Sequence, residues 1–145
     1  MYPIQLPSYN IELKDENQQT YIFDVIRKKY LVLTPEEWVR QHFIHLLINQ
    51  YGYPKGLFCV ERGHKYNNLQ KRTDIIVLDR DGEIDLLVEC KAHTEKINSN
   101  TMTQIMNYNL TLNSKKIIVT NGISTFCFQN LGEGMKQVKD VPKYV

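Results

Sequence analysis

Two carboxylates and one lysine form the clearest chemical signal in this sequence. Asp74 lies in one apolar segment, and Glu89 and Lys91 lie two positions apart in the next. The Asp81-Gly82 pair between the segments favours a tight hairpin turn, which would place Asp74 opposite Glu89 with their Cβ atoms about 4.5–5.5 Å apart. Carboxylates at that distance repel each other unless a cation neutralises them. The spacing therefore predicts a divalent metal site on a β-hairpin with strands at 73–79 and 84–91.

The ligand types indicate which metal and which chemistry. Carboxylate oxygens suit Mg²⁺, with Mn²⁺ as a substitute, and Mg²⁺ usually takes one or two protein carboxylates and leaves its other positions to water and phosphate oxygens. The carbonyl of Cys90 is expected to help, because it lies between Glu89 and Lys91. Alternation along a strand puts Lys91 on the face of Glu89, where its ammonium would orient a water or offset charge on a phosphorane. The pattern predicts metal-dependent cleavage of phosphodiester bonds.

This arrangement resembles a known nuclease signature. Asp74 followed by Glu89-Cys90-Lys91 is similar to the D…(D/E)xK pattern of the PD-(D/E)XK nuclease superfamily, with Thr73 in place of a proline that varies there. The run 27–41 ahead of it most resembles the N-terminal nuclease domain of type I restriction enzyme R subunits, and the likeness covers residues 20–122. It implies a restriction-endonuclease-like three-layer α/β core, a mixed central β-sheet flanked by helices. It also implies an Mg²⁺-dependent deoxyribonuclease of a restriction system, an endonuclease rather than an exonuclease.

A helix is expected from Thr34, a suitable N-cap, with Pro35 at the first helical position and a stop at Tyr51-Gly52. Glu37 then has two possible roles. As the partner in a capping box it would bond the backbone of Thr34. The resemblance implies that Glu37 approaches the metal, as a glutamate of the first helix does in many nucleases of this superfamily. The two roles do not exclude each other.

A second helix is expected at about 98–112, after the hairpin. Gln104 and Tyr108 lie four residues apart on it and therefore share one face. This QxxxY pattern resembles the motif of the RecB-type branch of the same superfamily. The resemblance implies that Gln104 holds the substrate phosphate or Lys91, and that Tyr108 hydrogen-bonds nearby. The alternative is a helix that carries a glutamine and a half-buried tyrosine without a catalytic role.

A strand expected at 56–61 leads into a basic run at 62–72 that contains no acid. Cations without compensating acids suit contacts with DNA phosphates. A solvated polar loop is the alternative. The residues of the run that we expect to bind nucleic acid are Arg62, Lys65, Lys71 and Arg72.

The rest of the chain completes one domain over residues 1–145. Asn121-Gly122 predicts a second hairpin with strands at 115–120 and 123–128. The helical crossover before it would make its first strand parallel to the strand of Glu89. We expect an N-terminal arm at 1–19, a core at 20–128, and a tail at 129–145 with at most one short strand.

Composition excludes several classes of protein. The chain has 145 residues, of which 42% are hydrophobic and 23% charged, as in a globular domain with a real core. No apolar run approaches the length of a membrane span and no signal peptide is evident, so we expect a cytoplasmic protein without membrane contact. Three scattered cysteines favour buried, reduced thiols. The net charge of +2 is nearly balanced, so DNA binding must come from local patches.

No GxxxxGK[ST] loop occurs, so no P-loop motor of the R-subunit kind is expected within this sequence. A domain of this size has little surface for reading base edges, so site-specific cutting of DNA would require a homodimer or separate motor and specificity subunits. Two other hypotheses stay open. One is a non-catalytic nucleic-acid-binding or assembly module that retains the nuclease fold. The other is a surface salt-bridge network among Asp74, Glu89, Lys91 and Arg72.

Overall fold

The computed structural model describes residues 1–59 and 74–144, and within these ranges the side chains of all residues except 74 and 111. Eight strands and two α-helices follow one another along these segments. In chain order they are β1 (Leu13–Glu16), β2 (Gln19–Asp24), β3 (Lys29–Val32), α1 (Pro35–Tyr51), β4 (Asp74–Leu78), β5 (Ile84–Cys90), α2 (Ser99–Leu112), β6 (Lys116–Thr120), β7 (Thr125–Asn130) and β8 (Met135–Val138).

The strands form two sheets. The larger has the order β4-β5-β6-β7-β8, in which β5 and β6 are parallel and the other neighbours antiparallel. Helix α2 makes the crossover between the two parallel strands, as expected. The smaller sheet, β1-β2-β3, is antiparallel throughout. The expectation of an α/β protein with a mixed sheet is therefore confirmed.

The two faces of the larger sheet are covered by different helices. Successive side chains along a strand point to opposite faces, so each face presents apolar residues to one helix. Leu86 and Val88 of β5 pack in a cluster with Phe43 and other residues of α1. Leu87, between them, packs in a second cluster with Ile105 of α2. The central strands thus have apolar side chains on both sides, which explains why β5 is buried along its whole length.

Local signals set the helix ends where the sequence predicts them. The Thr34 side chain accepts a hydrogen bond from the backbone N–H of Glu37, and Pro35 is the first residue of α1. Gly52 ends α1 with a φ of 76°, in the left-handed region that glycine adopts without strain. Asn98 and Thr101 form a capping box at the start of α2.

The hairpin connections are longer than the predicted strand ends imply, five residues instead of four in the first hairpin and four instead of two in the second. A bulge in the pairing of β4 with β5 extends the first loop to 79–83, where the Asp79 carboxylate accepts from the backbone N–H groups of Asp81 and Glu83. The second loop is 121–124, closed by the Asn121 side chain, which accepts from the N–H groups of Ile123 and Ser124. Side-chain acceptors make these wider loops as well bonded as tight turns.

The strand expected at 56–61 is wrong in its first part. Residues Lys55–Leu57 form a 3₁₀ turn, and Phe58 makes a single antiparallel bridge with Val77. The turn follows Pro54, which has no N–H to donate to a strand. The rest of the expected strand, from residue 60, lies outside the described residues.

Both chain ends pack on the core. In the arm, the N–H of Gln5 donates to the carbonyl of Gly122 at 2.7 Å. In the tail, β8 is the single short strand expected there, and the carbonyl of Pro142 accepts from the buried Tyr53 hydroxyl at 2.6 Å. No helix among the described residues is long and apolar enough to cross a membrane.

Candidate active site

The predicted hairpin register is confirmed at its functional end. Asp74, the first residue of β4, is the Cα partner of Glu89 on β5. The register holds from this pair to Val77 and Leu86, and the bulge lies beyond it, toward the loop. Because the bulge is at the far end of the hairpin, the expected pairing of the two acidic residues survives the unexpected loop length.

Glu89 is a buried acid, with only 4% of its surface exposed. The Nζ atom of Lys91 lies 3.9 Å from its Oε2 atom, and a quarter of the Lys91 side chain is exposed. The backbone N–H of Lys91 donates to the carbonyl of Thr120 at 2.8 Å, which extends the pairing with β6 by one residue and holds the main chain. The buried carboxylate of Glu89 thus lies beside an ammonium group that is partly exposed to solvent. A surface salt-bridge network does not describe this pair, because Glu89 is not on the surface.

Alternation assigns Glu89 to the face of the sheet that α2 covers. Leu87, two residues before Glu89 on β5, packs in the cluster that includes Ile105 of α2, whereas Cys90 packs in the cluster that includes Phe43 of α1. Uninterrupted alternation along β5 would put Ile84 on the same side as Cys90, but the structure differs. The bulge shifts the alternation, and Ile84 packs with the α2 cluster.

The amino end of α1 lies at the same end of the sheet as Lys91. The ring of Tyr2, in the N-terminal arm, lies 6.2 Å from that of Trp38 on α1 and 5.6 Å from that of His93, two residues past Lys91. A single side chain therefore contacts both the first turn of α1 and the segment that leaves β5. This contact brings the helix end that carries Glu37 into the neighbourhood of the acidic pair.

Glu37 is buried in a network of charges. Its Oε2 atom accepts from the guanidinium of Arg40 and from the amide of Gln41, both at 2.8 Å. Arg40 also donates to the carboxylate of Asp24 on β2 at 3.1 Å. Of the two roles considered for Glu37, the capping box is only half formed. The Thr34 hydroxyl accepts from the Glu37 N–H, but the Glu37 carboxylate accepts from Arg40 and Gln41. The metal-ligand role stays a prediction.

Charge compensation in this network is visible in its pKa values. Burial disfavours the ionised form of Asp24, but the charge of Arg40 and hydrogen bonds from Arg40 and two backbone amides outweigh it, so the pKa of Asp24 lies below its usual value. Burial also disfavours charge on Arg40, but Glu37 and Asp24 outweigh it and raise the pKa of Arg40. The network therefore favours the charged forms of Asp24 and Arg40.

Sequence reasoning missed Asp24, Arg40 and Gln41. The spacing of Arg40 and Gln41 from Glu37, three and four residues, was a signal that these side chains share one helix face. Asp24 lies on a strand of the smaller sheet and gave no local signal.

Gln104 and Tyr108 both lie on α2, as expected, but they differ in exposure. Gln104 is exposed, whereas Tyr108 is half-buried and packs against the α2 cluster. In a crossover, the helix runs back along the sheet, so the first turns of α2 lie near the carboxyl end of β5. The proposed roles of both residues stay predictions. The basic residues Arg62, Lys65, Lys71 and Arg72 lie outside the described residues.

The donor set fits a hard cation. The predicted ligands Asp74, Glu89 and the Cys90 carbonyl would offer oxygen atoms, which Mg²⁺ prefers. Among residues 1–59 and 74–144, no three His, Cys, Asp or Glu side chains form a closed group of ligands, and Cys59, Cys90 and Cys127 are buried free thiols, as expected. A site with few protein ligands suits Mg²⁺, whereas structural zinc takes four.

The fold and the site define an α/β protein with a buried acid on strand β5 of a mixed sheet and a lysine directly after that strand. A model of the family described as the type I restriction enzyme R protein N terminus matches residues 35–142, so this chain belongs to that family. The predicted likeness to this family is thereby confirmed.

One curated relative is a Pep5-like zinc finger protein of Schizosaccharomyces pombe, 33% identical over 76 residues. The match covers 52% of this chain and 9% of that protein, so the chain spans only a small part of the relative. No solved structure matches the chain.

Proposed function

We propose that this chain is a metal-dependent nuclease that hydrolyses phosphodiester bonds in DNA, acting as an endonuclease within a restriction or DNA-processing system. The observation that carries the proposal is the pairing of Asp74 with the buried Glu89. Membership of the R-protein family supports it, and so does a mixed sheet with a helix on each face, which fits a restriction-endonuclease-like core.

Asp74, Glu89 and the carbonyl of Cys90 would hold Mg²⁺, or Mn²⁺ in its place. When bound, the metal would lower the pKa of a coordinated water and polarise the phosphoryl oxygens. Glu37 is proposed to contribute from the amino end of α1. Its bonds to Arg40 and Gln41 fix the orientation of its carboxylate, which is how residues around a metal site tune the ligands.

The other residues act on the substrate and the proton. The ammonium of Lys91, a quarter exposed and 3.9 Å from Glu89, would orient the attacking water and offset charge on the phosphorane. Gln104, exposed on α2, would steady the phosphate or that water, and Tyr108 would support it one helical turn later. Arg62, Lys65, Lys71 and Arg72 are proposed to contact the DNA backbone.

DNA is the proposed partner, together with other subunits of the system or a second copy of the chain, in keeping with the family. The buried free thiols fit the reducing cytoplasm, where we propose that the protein acts.

A non-catalytic module that retains the fold is the second candidate. It would have no use for a buried carboxylate paired with a second acid, because burying a charge lowers stability unless it is compensated. The acidic pair is therefore the feature that favours catalysis over a purely structural role.

Cleavage of plasmid and linear DNA in Mg²⁺, Mn²⁺ or EDTA tests the proposal. We expect cutting of closed circular plasmid with either metal and none in EDTA, and at least a hundredfold loss of rate in Lys91→Ala and Asp74→Ala. Lys115→Ala is the matched control, because Lys115 is an exposed lysine that pairs with Asp79 beside the hairpin loop. It should keep the wild-type rate.

Circular dichroism and melting curves must first show that each variant is folded. A folded wild-type protein that neither cuts DNA nor binds Mg²⁺ by calorimetry would refute the nuclease proposal and favour the non-catalytic module.

A further inference from the structure

Helix α2 carries no charged side chain. From Ile97 to Ser114 the sequence contains no Asp, Glu, Lys or Arg, although 23% of the whole chain is charged. Solvent-facing helix surfaces usually carry charged side chains. The helix is nevertheless well anchored, with Ile105 and Leu112 buried on its inner side.

The outer side of α2 presents short polar groups to solvent. Asn100, Thr103 and Asn107 are exposed, and at 3.6 residues per turn they fall within about 100° of one another around the helix. We call these three residues the amide face. None of their side chains hydrogen-bonds to any residue of segments 1–59 and 74–144. Their donors and acceptors are therefore available to a ligand.

The amide face begins, at Asn100, at the end of α2 that lies toward the candidate active site. Glu89 belongs to the sheet face that α2 covers, and the crossover places the first turns of the helix near the carboxyl end of β5. Gln104, proposed to contact the phosphate, borders the amide face, about 40° around the helix from Asn100. A duplex whose scissile phosphate is at Glu89 and Lys91 would extend past this surface.

We propose that the amide face of α2 contacts base edges in a groove of the DNA duplex beside the scissile phosphate. This inference rests on the proposed function. The major groove is about 12 Å wide and admits an α-helix, and Asn side chains pair with adenine through two hydrogen bonds. Helix α2 is about 21 Å long, enough to follow the groove over several base pairs. Acids on this surface would repel the DNA backbone, and it has none.

A protein partner fits this face less well. Centres of protein interfaces are enriched in aromatic residues, Met and Arg, and the amide face contains none of these. The one large exposed apolar side chain of α2, Leu110, is 83% exposed and lies toward the helix end farther from Glu89. The chemistry beside the site is that of hydrogen-bond readout.

Fluorescence anisotropy of labelled duplexes tests the inference in a Lys91→Ala background without added metal, where no cleavage occurs. The probe is the triple variant Asn100→Ala, Thr103→Ala, Asn107→Ala. Alanine favours the helix more than the residues replaced, so α2 is retained. The matched control is Asn49→Ala, Gln50→Ala, which removes two exposed amides from the last turn of α1.

We expect about tenfold weaker duplex binding by the triple variant, with an unchanged slope of log Kd against log salt, because uncharged contacts release no counterions. The control should bind like the parent protein. A charged residue at position 107 should change the affinity for DNA in the direction set by its sign. Asn107→Lys should strengthen binding about threefold or more, and Asn107→Glu should weaken it by a similar factor.

Equal binding by parent and triple variant, or no response to either charge at residue 107, would overturn the inference and leave the nuclease proposal intact. Loss of binding to a partner protein, with DNA affinity unchanged, would also overturn it in favour of a protein interface. Absence of duplex binding by the parent would overturn it as well. Conversely, DNA binding that depends on the amide face in a protein without metal-dependent cleavage would support it and refute only the nuclease proposal.

Discussion

Asp74 and Glu89 are direct Cα partners across the antiparallel pair β4–β5, and Glu89 is almost completely buried. Two acidic residues so placed define a position where a divalent cation would relieve repulsion. Their pairing connects the sequence motif with the proposed chemistry, and it leads to the first prediction.

Mg²⁺ should stabilise the wild-type protein but not the Glu89→Gln variant. A ligand that binds only the folded state adds about 2.7 kcal/mol at a concentration one hundred times its Kd. The amide removes the charge that attracts the metal, so we expect the melting temperature of the variant to be independent of Mg²⁺. Glu83→Gln, an exposed acid in the loop at the other end of the hairpin, should keep the wild-type shift. Equal shifts in both variants would place the metal elsewhere.

Thr34→Ala and Glu37→Gln should separate the helix cap from the metal site. Loss of the cap hydroxyl should lower the free energy of unfolding by about 1 kcal/mol and leave Mg²⁺ affinity unchanged. Glu37→Gln should weaken Mg²⁺ binding about tenfold, as expected for a residue that ligates or orients the site. Isothermal calorimetry measures both affinities. Unchanged Mg²⁺ binding by the folded Glu37→Gln protein would assign Glu37 to the Arg40 network alone.

Asp24→Asn should destabilise the protein most strongly near neutral pH. The buried Arg40 keeps its charge and its bond to Glu37 but loses one of its two carboxylate partners, so we expect a cost of about 1–3 kcal/mol. Since folding lowers the pKa of Asp24, its contribution is fully present above the unfolded pKa of about 3.9 and is lost as the pH falls through the folded pKa.

Urea denaturation from pH 7 downward should therefore show the stability gap between wild type and Asp24→Asn narrowing below about pH 4. Asp15→Asn, on the exposed strand β1, should stay within about 0.5 kcal/mol of wild type at pH 7. A gap that is constant with pH would mean that the charge of Asp24 does not contribute.

Lys116→Met should loosen the C-terminal tail. The buried Lys116 ammonium donates to the Asp85 carboxylate at 2.9 Å and to the carbonyl of Lys143 at 3.1 Å, and it lies 3.3 Å from the Tyr53 hydroxyl. Methionine would leave Asp85 buried without its cation, at a cost of about 3–5 kcal/mol.

Adding Asp85→Asn should restore part of that stability, since the double variant has no uncompensated charge. Hydrogen exchange should show faster exchange of the Tyr144 amide, which donates to the carbonyl of Tyr51, in Lys116→Met than in wild type. A double variant less stable than Lys116→Met would contradict this account.

Gly122→Ala should cost more than Gly82→Ala, although both glycines have a φ of 84°. A Cβ at Gly122 would lie 2.7 Å from Cγ2 of Ile4, whereas a Cβ at Gly82 would have no atom within 4 Å. The backbone strain is common to both, about 1–3 kcal/mol, so the difference in unfolding free energy reports the contact with the arm. Ile4→Ala should reduce that difference in unfolding free energy. Equal losses in Gly122→Ala and Gly82→Ala would mean that the N-terminal arm moves aside without loss of stability.

The sequence alone determined the features that depend on neighbouring residues. Thr34, Pro35 and Gly52 bound α1 because caps and left-handed stops act within one turn of a helix. Strand periodicity and the length of the hairpin were sufficient to pair Asp74 with Glu89, because a register depends on chain distance from the loop and on which face is buried.

Only the tertiary structure decided which distant groups meet. No local pattern links Asp24 to Arg40, or Lys116 to the carbonyl of Lys143, because side chains far apart in sequence are brought together by packing of whole elements. The same holds for the bulge that turns Ile84 to the α2 side, since it depends on how β5 pairs with both its neighbours. The acidic motif could therefore be identified from the sequence. The charge network around Glu37 and the exposure of the amide face of α2 could be seen only in the folded structure.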